Sequence, residues 1–343
     1  MAIAAAITAI SALAAAALLT ELVRATAAGG VVDVPNERSS HGVPTPRGGG
    51  LAIVLVTTAG VVTLWLRGAV RIDLLWALVG GGLAVALVGF VDDRRSLSAA
   101  TRLTVHFAAA LWALVWLGGL PALRVGGHLV SFGWLGYVLG AFGVVWAINL
   151  FNFMDGIDGI AASEAIFVAL AGALLNLPLA ANPGVGSAAL VFAAACGGFL
   201  LWNWPPARIF LGDVGSGYLG YMIVVLAMAA TRDNPVALWV WLILGGGFFV
   251  DATVTLVRRT LRNERVHEAH RSHGYQWLAR RWRSHRKVTL ALGAVNLFWL
   301  LPCAVLAVTR PGYAGAAVIM ALAPLAVLAA ALGSGRKEDK AGE

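Results

Sequence analysis

The chain has 343 residues, of which 59% are hydrophobic and only 12% are charged. A soluble domain is nearer half apolar and a quarter charged, so this composition excludes a soluble globular protein and indicates an integral membrane protein. The formal net charge of +8 does not indicate nucleic-acid binding, because the apolar segments leave no room for a folded domain that would present the basic residues.

Apolar runs of about the length that spans a bilayer, roughly 20 residues, recur along the whole chain. They predict an all-α integral membrane protein with a single polytopic domain over residues 1–343. Eleven candidate spans follow one another: 2–20, 48–66, 74–91, 103–120, 134–150, 160–178, 185–202, 215–231, 236–257, 288–308 and 312–332.

The basic residues predict the orientation of these spans. No positive residue precedes the first apolar run and Arg24 follows it, which favours a retained helix with its N-terminus outside over a cleaved signal peptide. Twenty of the 25 Lys and Arg residues then fall on the inner side. The positive-inside rule therefore predicts a cytoplasmic C-terminus. Five basic residues remain outside: Arg67, Arg71, Arg124, Arg232 and Arg310.

Acidic residues lie at the ends of apolar runs, where a membrane protein should least tolerate them. Asp92 and Asp93 close one run, Asp155 and Asp158 follow WAINLFNFM, and Asp213 lies in ARIFLGDVGSG. Charges at membrane depth are costly and are usually kept for function. Acidic positions at the ends of different helices, all on the predicted cytoplasmic face, suggest one cation site, and a cation usually accompanies a phosphate.

Each acidic position also has a structural alternative. Adjacent Asp92 and Asp93 repel each other, so a metal, a cation or a shared proton must offset them, unless they form a solvated helix end. On a helix, Asn152, Asp155 and Asp158 would share one face, although Asp158 could instead cap the helix that begins at residue 160. N-capping is likewise the alternative for Asp213.

Two inner loops offer donors for an anion. Loop 33–50 reads DVPNERSSHGVPTPRGGG, and glycines 48–50 open a helix whose bare N–H groups could hold an anion, unless the loop is an ordinary polar turn. Asp251 lies within the predicted span before the last inner loop and could support the site or form a local salt bridge. Residues 280–287 of the last inner loop are expected to anchor it at the membrane. The candidate anion-binding residues of the two loops are Asn36, Arg38, His41, Arg47, His270, Arg271 and His273.

In this order the strings resemble the polyprenyl-phosphate N-acetylhexosamine-1-phosphate transferase superfamily over nearly the whole chain. They are DVPNERSSHGVPTPRGGG, GFVDD, NFMDGIDG, FLGDVGSG and a late His loop. The late string AHRSHGYQ departs from the His-His-His run of the peptidoglycan branch and is more similar to the O-antigen initiating branch. Ser96 stands where the family often has a lysine, and Arg94, Arg95 or Arg102 would replace that contact.

The resemblance implies a reaction and its cofactor. An N-acetylhexosamine 1-phosphate would pass from a UDP-sugar to undecaprenyl phosphate, releasing UMP, as the first membrane step of a cell-surface polysaccharide such as O-antigen. The enzyme would lie in the bacterial inner membrane, would require Mg²⁺, with Mn²⁺ as an alternative, and could form a homodimer.

The same resemblance implies roles for single residues. Asp213 would ligate magnesium together with Asp93, while Asp92 would orient or deprotonate the acceptor phosphate. Asn152 and Asp155 would line the reaction centre. The uridine would contact Asp158 and Asn203, and the sugar-phosphate end would lie against His270, Arg271 and His273.

Two other classes remain open from the residues alone. A cation-coupled transporter would also keep acidic residues in the membrane, but it would scatter them at mid-depth. An aspartate-rich prenyltransferase would need DDxxD motifs, and the fifth position of the motif that begins at Asp92 is Ser96.

Overall fold

The structure is a computed structural model, and it describes residues 2–27, 32–33, 44–176, 184–264 and 271–336. Helices dominate these ranges, and the two-stranded pairs β1–β2 and β3–β4 are short and antiparallel. The strands are β1 (Val32–Asp33), β2 (Thr45–Pro46), β3 (Leu123–Val125) and β4 (His128–Val130). The first seven helices are α1 (Ala2–Ala27), α2 (Gly50–Leu66), α3 (Ile72–Asp92), α4 (Ala99–Leu117), α5 (Leu135–Met154), α6 (Ile160–Asn176) and α7 (Gly184–Asn203). The others are α8 (Asp213–Asp233), α9 (Ala237–Leu244), α10 (Gly246–Leu261), α11 (Gly274–Trp282), α12 (His285–Val295), α13 (Leu301–Thr309) and α14 (Ala314–Leu332).

All eleven predicted apolar segments fall on helical structure. Within the described ranges, eight continuous helices are long and apolar enough to cross a bilayer, one of them formed by α12 and α13 joined through residues 296–300. The bent pair α9 and α10 could form a ninth span. The two remaining segments correspond to the shorter apolar helices α2 and α6, of 17 residues each. The prediction of an all-α integral membrane protein is confirmed, whereas the number of spans and their orientation stay predictions.

The segment 236–257 is not one straight helix, as a single span would require. It is divided between α9 and α10, which meet at Gly245 with a bend of 73°. Three successive glycines, at positions 245–247, explain the break, because glycine has low helix propensity and kinks commonly form at such residues. The bend directs the polar end of α10 towards α11.

Helix α8 lies at the centre of the bundle. Its most apolar stretch is 94% buried, more than in any other candidate span among the described residues. It packs along α3 and α5, and the hydroxyl of Tyr221 donates to the carbonyl of Ala77 on α3 at 2.6 Å. Because α8 runs antiparallel to α3 and α5, its first residue, Asp213, lies beside the ends of both helices.

The segments 45–50 and 209–211 run side by side and set the start of α8. Backbone N–H groups of residues 48–50 donate to the carbonyls of residues 210 and 211 at 2.9–3.1 Å. The prediction that these N–H groups hold an anion is therefore wrong, since backbone carbonyls already occupy them. The pairing instead brings Arg47 next to Asp213.

The opposite end of the bundle has its own ion-pair cluster. Asp73, at the start of α3, lies 2.8 Å from Arg232 near the end of α8 and 3.2 Å from Arg71. Its Oδ1 also accepts a hydrogen bond from the N–H of Leu74 at 2.8 Å. This cluster joins the far ends of α3 and α8 and takes no part in the site described next.

Candidate active site

Asp93 binds the first turn of α8. Its Oδ1 accepts from the N–H of Asp213 at 2.9 Å, and its Oδ2 accepts from the N–H of Val214 at 3.1 Å. Nε of Arg47 lies 3.3 Å from Oδ1, and only 3% of the Asp93 side chain is exposed. A carboxylate in this place satisfies unpaired N–H groups and opposes the helix dipole. In the structure Asp93 therefore holds the start of α8, and its expected role as a ligand of the metal or the substrate stays a prediction.

Asp213 is left accessible because Asp93 caps its helix. Asn152 donates from Nδ2 to Oδ1 of Asp213 at 3.2 Å and to the hydroxyl of Ser216 at 3.0 Å. The exposed fraction of the Asp213 side chain is 25%, against 3% for Asp93 and 6% for Asp92. N-capping, the structural alternative for Asp213, is thus performed by another residue, and Asp213 is the most accessible carboxylate of the three.

Asp92 lies beside Asp213 but is held by its own surroundings. Its Oδ1 accepts from the N–H of Leu97 at 2.6 Å, and its Oδ2 accepts from Nη1 of Arg102 at 2.7 Å. The carboxyl groups of Asp92 and Asp213 are within hydrogen-bonding reach of each other. Each carboxylate oxygen can accept more than one bond, so the pair retains capacity for a cation.

The pair Asp92 and Asp213 opens into a small cleft of about 50 Å³ between α3, α4, α5 and α8. A water molecule needs roughly 10–15 Å³ by the same kind of measure, so the cleft has room for an ion with part of its hydration shell. It is too small for a sugar nucleotide. Its other lining residues are Val85, Val88, Gly89, Arg102, His106, Ile148, Asn149, Asn152, Phe153 and Gly217.

The donor set of this cleft fits magnesium. Among the described residues, no three side chains of His, Cys, Asp or Glu form a metal-binding group. Magnesium typically takes only one or two carboxylates and completes its octahedron with water and phosphate oxygens. Asp213 and Asp92 supply two such carboxylates at the cleft, which makes Asp92 a better second ligand than Asp93.

Arg47 supplies a fixed positive charge to the acidic cluster, lying 3.3 Å from Asp93 and 3.5 Å from Asp213. Burial alone would lower the pKa of Arg47, but these two carboxylates raise it overall. Burial raises the pKa of Asp155 well above its usual range; the charge of Arg47 opposes this rise, and the charges of Asp213 and Asp93 add to it. The carboxylates of Asp93 and Asp213 thus share the single guanidinium of Arg47.

The turn after α5 differs from the predicted arrangement. Helix α5 ends at Met154, so Asn152, Asp155 and Asp158 do not share a helix face. Asp158 instead lies in the turn, where its N–H donates to Nδ1 of His285 at 3.3 Å and its Oδ2 accepts from the N–H of Ala207 at 3.1 Å. The glycine at position 156 could have indicated this early end of the helix.

Asn203 connects this turn to the segment before α8. Its Oδ1 accepts from the N–H of Gly159, and its Nδ2 donates to the carbonyl of Ile209, both at 2.9 Å. The side chain is buried. In the structure Asn203 therefore positions the turn, and of the two residues predicted to contact uridine, Asp158 lines an open cleft whereas Asn203 does not.

That second cleft has a volume of about 580 Å³, within the usual range of small-molecule sites. Four arginines and one histidine line it together with Asp158 and two prolines. The sequence predicts membrane anchoring for residues 280–287 and does not predict their place in this cleft, although a basic residue recurs there at every third position. The lining residues are Asp158, Pro205, Pro206, Arg271, Ala279, Arg280, Arg283, Ser284, His285 and Arg286.

His273 lies behind this cleft. It caps α11, because its imidazole accepts from the N–H of Gln276 while Oε1 of Gln276 accepts from the N–H of His273 at 3.2 Å. Its ring stacks between Phe153 and Tyr275, with centroids 6.3 and 5.8 Å away. Burial lowers the pKa of His273, which keeps the imidazole neutral and able to accept. Of the predicted late-loop residues, Arg271 thus lines the cleft and His273 supports the loop from inside.

Four predicted substrate-binding residues lie outside the described residues: Asn36, Arg38, His41 and His270.

The chain is similar in sequence to known polyprenyl-phosphate sugar-phosphate transferases. The sequence profile of glycosyl transferase family 4 matches residues 75–231. A decaprenyl-phosphate N-acetylglucosaminephosphotransferase of Mycobacterium tuberculosis is 30% identical over 298 residues, covering 77% of this chain and 72% of the relative. A probable undecaprenyl-phosphate N-acetylglucosaminyl 1-phosphate transferase of Bacillus subtilis is 28% identical over 81% of this chain and 77% of the relative. A phospho-N-acetylmuramoyl-pentapeptide-transferase of Gluconobacter oxydans is 32% identical over 62% of this chain and 65% of the relative.

Proposed function

Because the chain belongs to glycosyl transferase family 4, within the polyprenyl-phosphate N-acetylhexosamine-1-phosphate transferase superfamily, we propose that it transfers an N-acetylhexosamine 1-phosphate from its UDP-sugar to undecaprenyl phosphate. One structural observation supports this reaction independently of the family assignment. A small cleft with paired carboxylates and a larger cleft with four arginines lie at the same end of the bundle, joined by residues 152–158. The first suits a metal at the reacting phosphates, and the second suits an anionic, nucleotide-sized donor.

The proposed reaction is an exchange of phosphoanhydride bonds. An oxygen of the lipid phosphate forms a bond to the sugar-bearing phosphorus, and the bond from that phosphorus to the bridging oxygen breaks. UMP leaves with the bridging oxygen and its electron pair. A phosphate monoester has a second pKa of about 6, so the attacking phosphate is already mostly ionised at neutral pH. Positioning and charge neutralisation should therefore dominate catalysis.

The chain's own residues can provide both effects. Magnesium, held by Asp213 with Asp92, would neutralise charge on the donor phosphates. Arg47 would add a fixed positive charge beside the same carboxylates. Asn152 orients Asp213 through its hydrogen bond of 3.2 Å, and Asp155 would line the reaction centre as the family resemblance implies. Asp93 would act indirectly, through the start of α8.

The donor would occupy the arginine-lined cleft. The guanidinium groups of Arg271, Arg280 and Arg283 can each grip two phosphate oxygens. Asp158 faces the same space and could accept hydrogen bonds from the uracil ring. In this assignment Arg271 and Asp158 have the roles that the sequence predicts for them. The other arginines of the cleft, predicted to anchor the loop at the membrane, would bind the donor as well.

Sequence similarity and the distribution of basic residues support the proposed pathway and location. The curated relatives are named for N-acetylglucosamine and N-acetylmuramoyl-pentapeptide, whereas the string AHRSHGYQ favours an O-antigen-like polysaccharide. The excess of basic residues in the predicted inner loops supports an active site on the cytoplasmic face of a bacterial inner membrane.

The decisive experiment measures UMP release by purified protein in detergent. UDP-N-acetylglucosamine, UDP-N-acetylgalactosamine and other UDP-sugars are supplied with and without undecaprenyl phosphate. The proposal expects UMP to form only when the lipid phosphate is present, and with one preferred sugar. UMP that forms at the same rate without the lipid would indicate a hydrolase. No UMP from any donor would contradict the proposed donor class.

A further inference from the structure

Asp251 has a set of contacts that the proposed reaction does not use. It lies on α10, is 9% exposed, and accepts three short hydrogen bonds from two other parts of the chain. Oδ1 accepts from the N–H of Gly274 at 2.8 Å and from the hydroxyl of Ser334 at 2.7 Å, while Oδ2 accepts from the N–H of Tyr275 at 3.0 Å.

These contacts hold the first turn of α11. Helix α11 has only nine residues, and isolated helices shorter than about 12–15 residues are marginal in water. Asp251 satisfies the first two N–H groups of the helix, and His273 satisfies the next one. The start of α11 is therefore set by a carboxylate on another helix rather than by α11 itself.

Helix α11 is connected to both clefts, to the small cleft through its first turn and to the large cleft through its last. The hydroxyl of Tyr275 donates to the carbonyl of Phe153, at 3.0 Å, beside the small cleft. At the other end of α11, both terminal nitrogens of Arg280 donate to the carbonyl of Arg271 at 3.0 Å. Both of these arginines line the large cleft. A shift at the start of α11 would thus move the arginines relative to the reaction centre.

We propose that Asp251 is a positioning residue for donor binding, which fixes α11 so that Arg271 and Arg280 face the donor phosphates. This inference rests on the proposed function, since it assigns the donor to the arginine-lined cleft. Asp251 does not contact the donor. It acts through the backbone of Gly274 and Tyr275.

The test compares donor and acceptor kinetics of Asp251→Ala and Asp251→Asn. Losing the cap should raise the KM for the UDP-sugar at least tenfold in Asp251→Ala, equivalent to about 1.4 kcal/mol. The rise should be smaller in Asp251→Asn, which keeps one acceptor oxygen. The kcat at saturating donor and the KM for undecaprenyl phosphate should change less than threefold. Wild-type UMP release, measured first, tests the proposed function separately from this inference.

Asp73→Ala is the matched control, because Asp73 also makes three contacts, of which the one to Arg232 joins two helices, but lies at the opposite end of the bundle. It should lower the melting temperature without raising the donor KM. Tyr275→Phe covers the case in which Asp251→Ala fails to fold, since it removes only the hydroxyl bond to Phe153 and should raise the donor KM about threefold. The inference is overturned if the donor KM of the folded Asp251 variants rises no more than that of Asp73→Ala. If only Tyr275→Phe can be measured, an unchanged donor KM overturns it.

Discussion

Asp93→Asn should destabilise the protein and Asp213→Asn should not, although each removes one negative charge from the same cluster. Asp93 is buried and binds two N–H groups at the start of α8. Asparagine offers one acceptor oxygen, so one N–H would face an amide donor instead. The carboxylate of Asp213 binds no N–H group at the start of the helix, and removing its charge relieves repulsion from Asp92 and Asp93.

The size of the two effects can be worked out from these contacts. A hydrogen bond to a charged group contributes about 1.5–3 kcal/mol, and an unpaired buried donor costs about 1–3 kcal/mol. Asp93→Asn should therefore cost about 3 kcal/mol. At about 2–4 °C per kcal/mol for a large domain, Tm should fall by roughly 6–12 °C. Asp213→Asn keeps an oxygen for Asn152 and should leave Tm unchanged or slightly higher, while UMP release is lost.

The assay is thermal unfolding of both variants in the same detergent without added metal, followed by UMP release with Mg²⁺. Asp73→Asn provides the control for a structural carboxylate far from the site, and it should lower Tm without abolishing activity. The reasoning fails if Asp93→Asn is as stable as the wild type and inactive, because Asp93 would then act on metal or substrate. It also fails if Asp213→Asn loses 6 °C or more, since Asp213 would then be a structural residue.

Three further outcomes can be measured directly. Arg271→Lys keeps the positive charge but loses the planar guanidinium group that can donate to two phosphate oxygens. The KM for the UDP-sugar should therefore rise about tenfold, more than kcat falls. A rise in the KM for undecaprenyl phosphate alone would place the loop at the acceptor. EDTA should abolish UMP release, and Mg²⁺ or Mn²⁺ should restore it, since both accept oxygen ligands; full activity in EDTA would argue against a metal at Asp213. A reporter fused after Lys340 should behave as cytoplasmic; a periplasmic signal would contradict the eleven-span prediction.

Much of the fold could be predicted because the bilayer restricts the chain to few solutions. A spanning segment in lipid must satisfy its backbone within the helix, so apolar runs and helices coincide. The run 74–91 appears as α3 (Ile72–Asp92), and 185–202 appears as α7 (Gly184–Asn203). The break at Gly245 was missed because an apolar run reports length and composition but not a bend.

The site was predicted less completely, because neighbouring residues with the same chemistry have different partners in space. Asp92 and Asp93 are adjacent and share one sequence context. Which of them faces the cleft depends on where α8 arrives, 120 residues later in the chain. Asn203 similarly has the chemistry of a ligand-binding residue, yet both ends of its amide are occupied by backbone groups.

Asp93 and Asp251 each stabilise the start of another helix, and the two helix starts have a sequence feature in common. In α8 and α11, the first two N–H groups are bound by a carboxylate from another helix, Asp93 in one case and Asp251 in the other. Neither helix is preceded by Ser, Thr, Asp or Asn, the residues that usually cap a helix start. Helix α8 follows Gly212 and α11 follows His273. Buried N–H groups at a helix start require partners, and at α8 the carboxylate of Asp93 serves them, which leaves its neighbour Asp92 at the cleft.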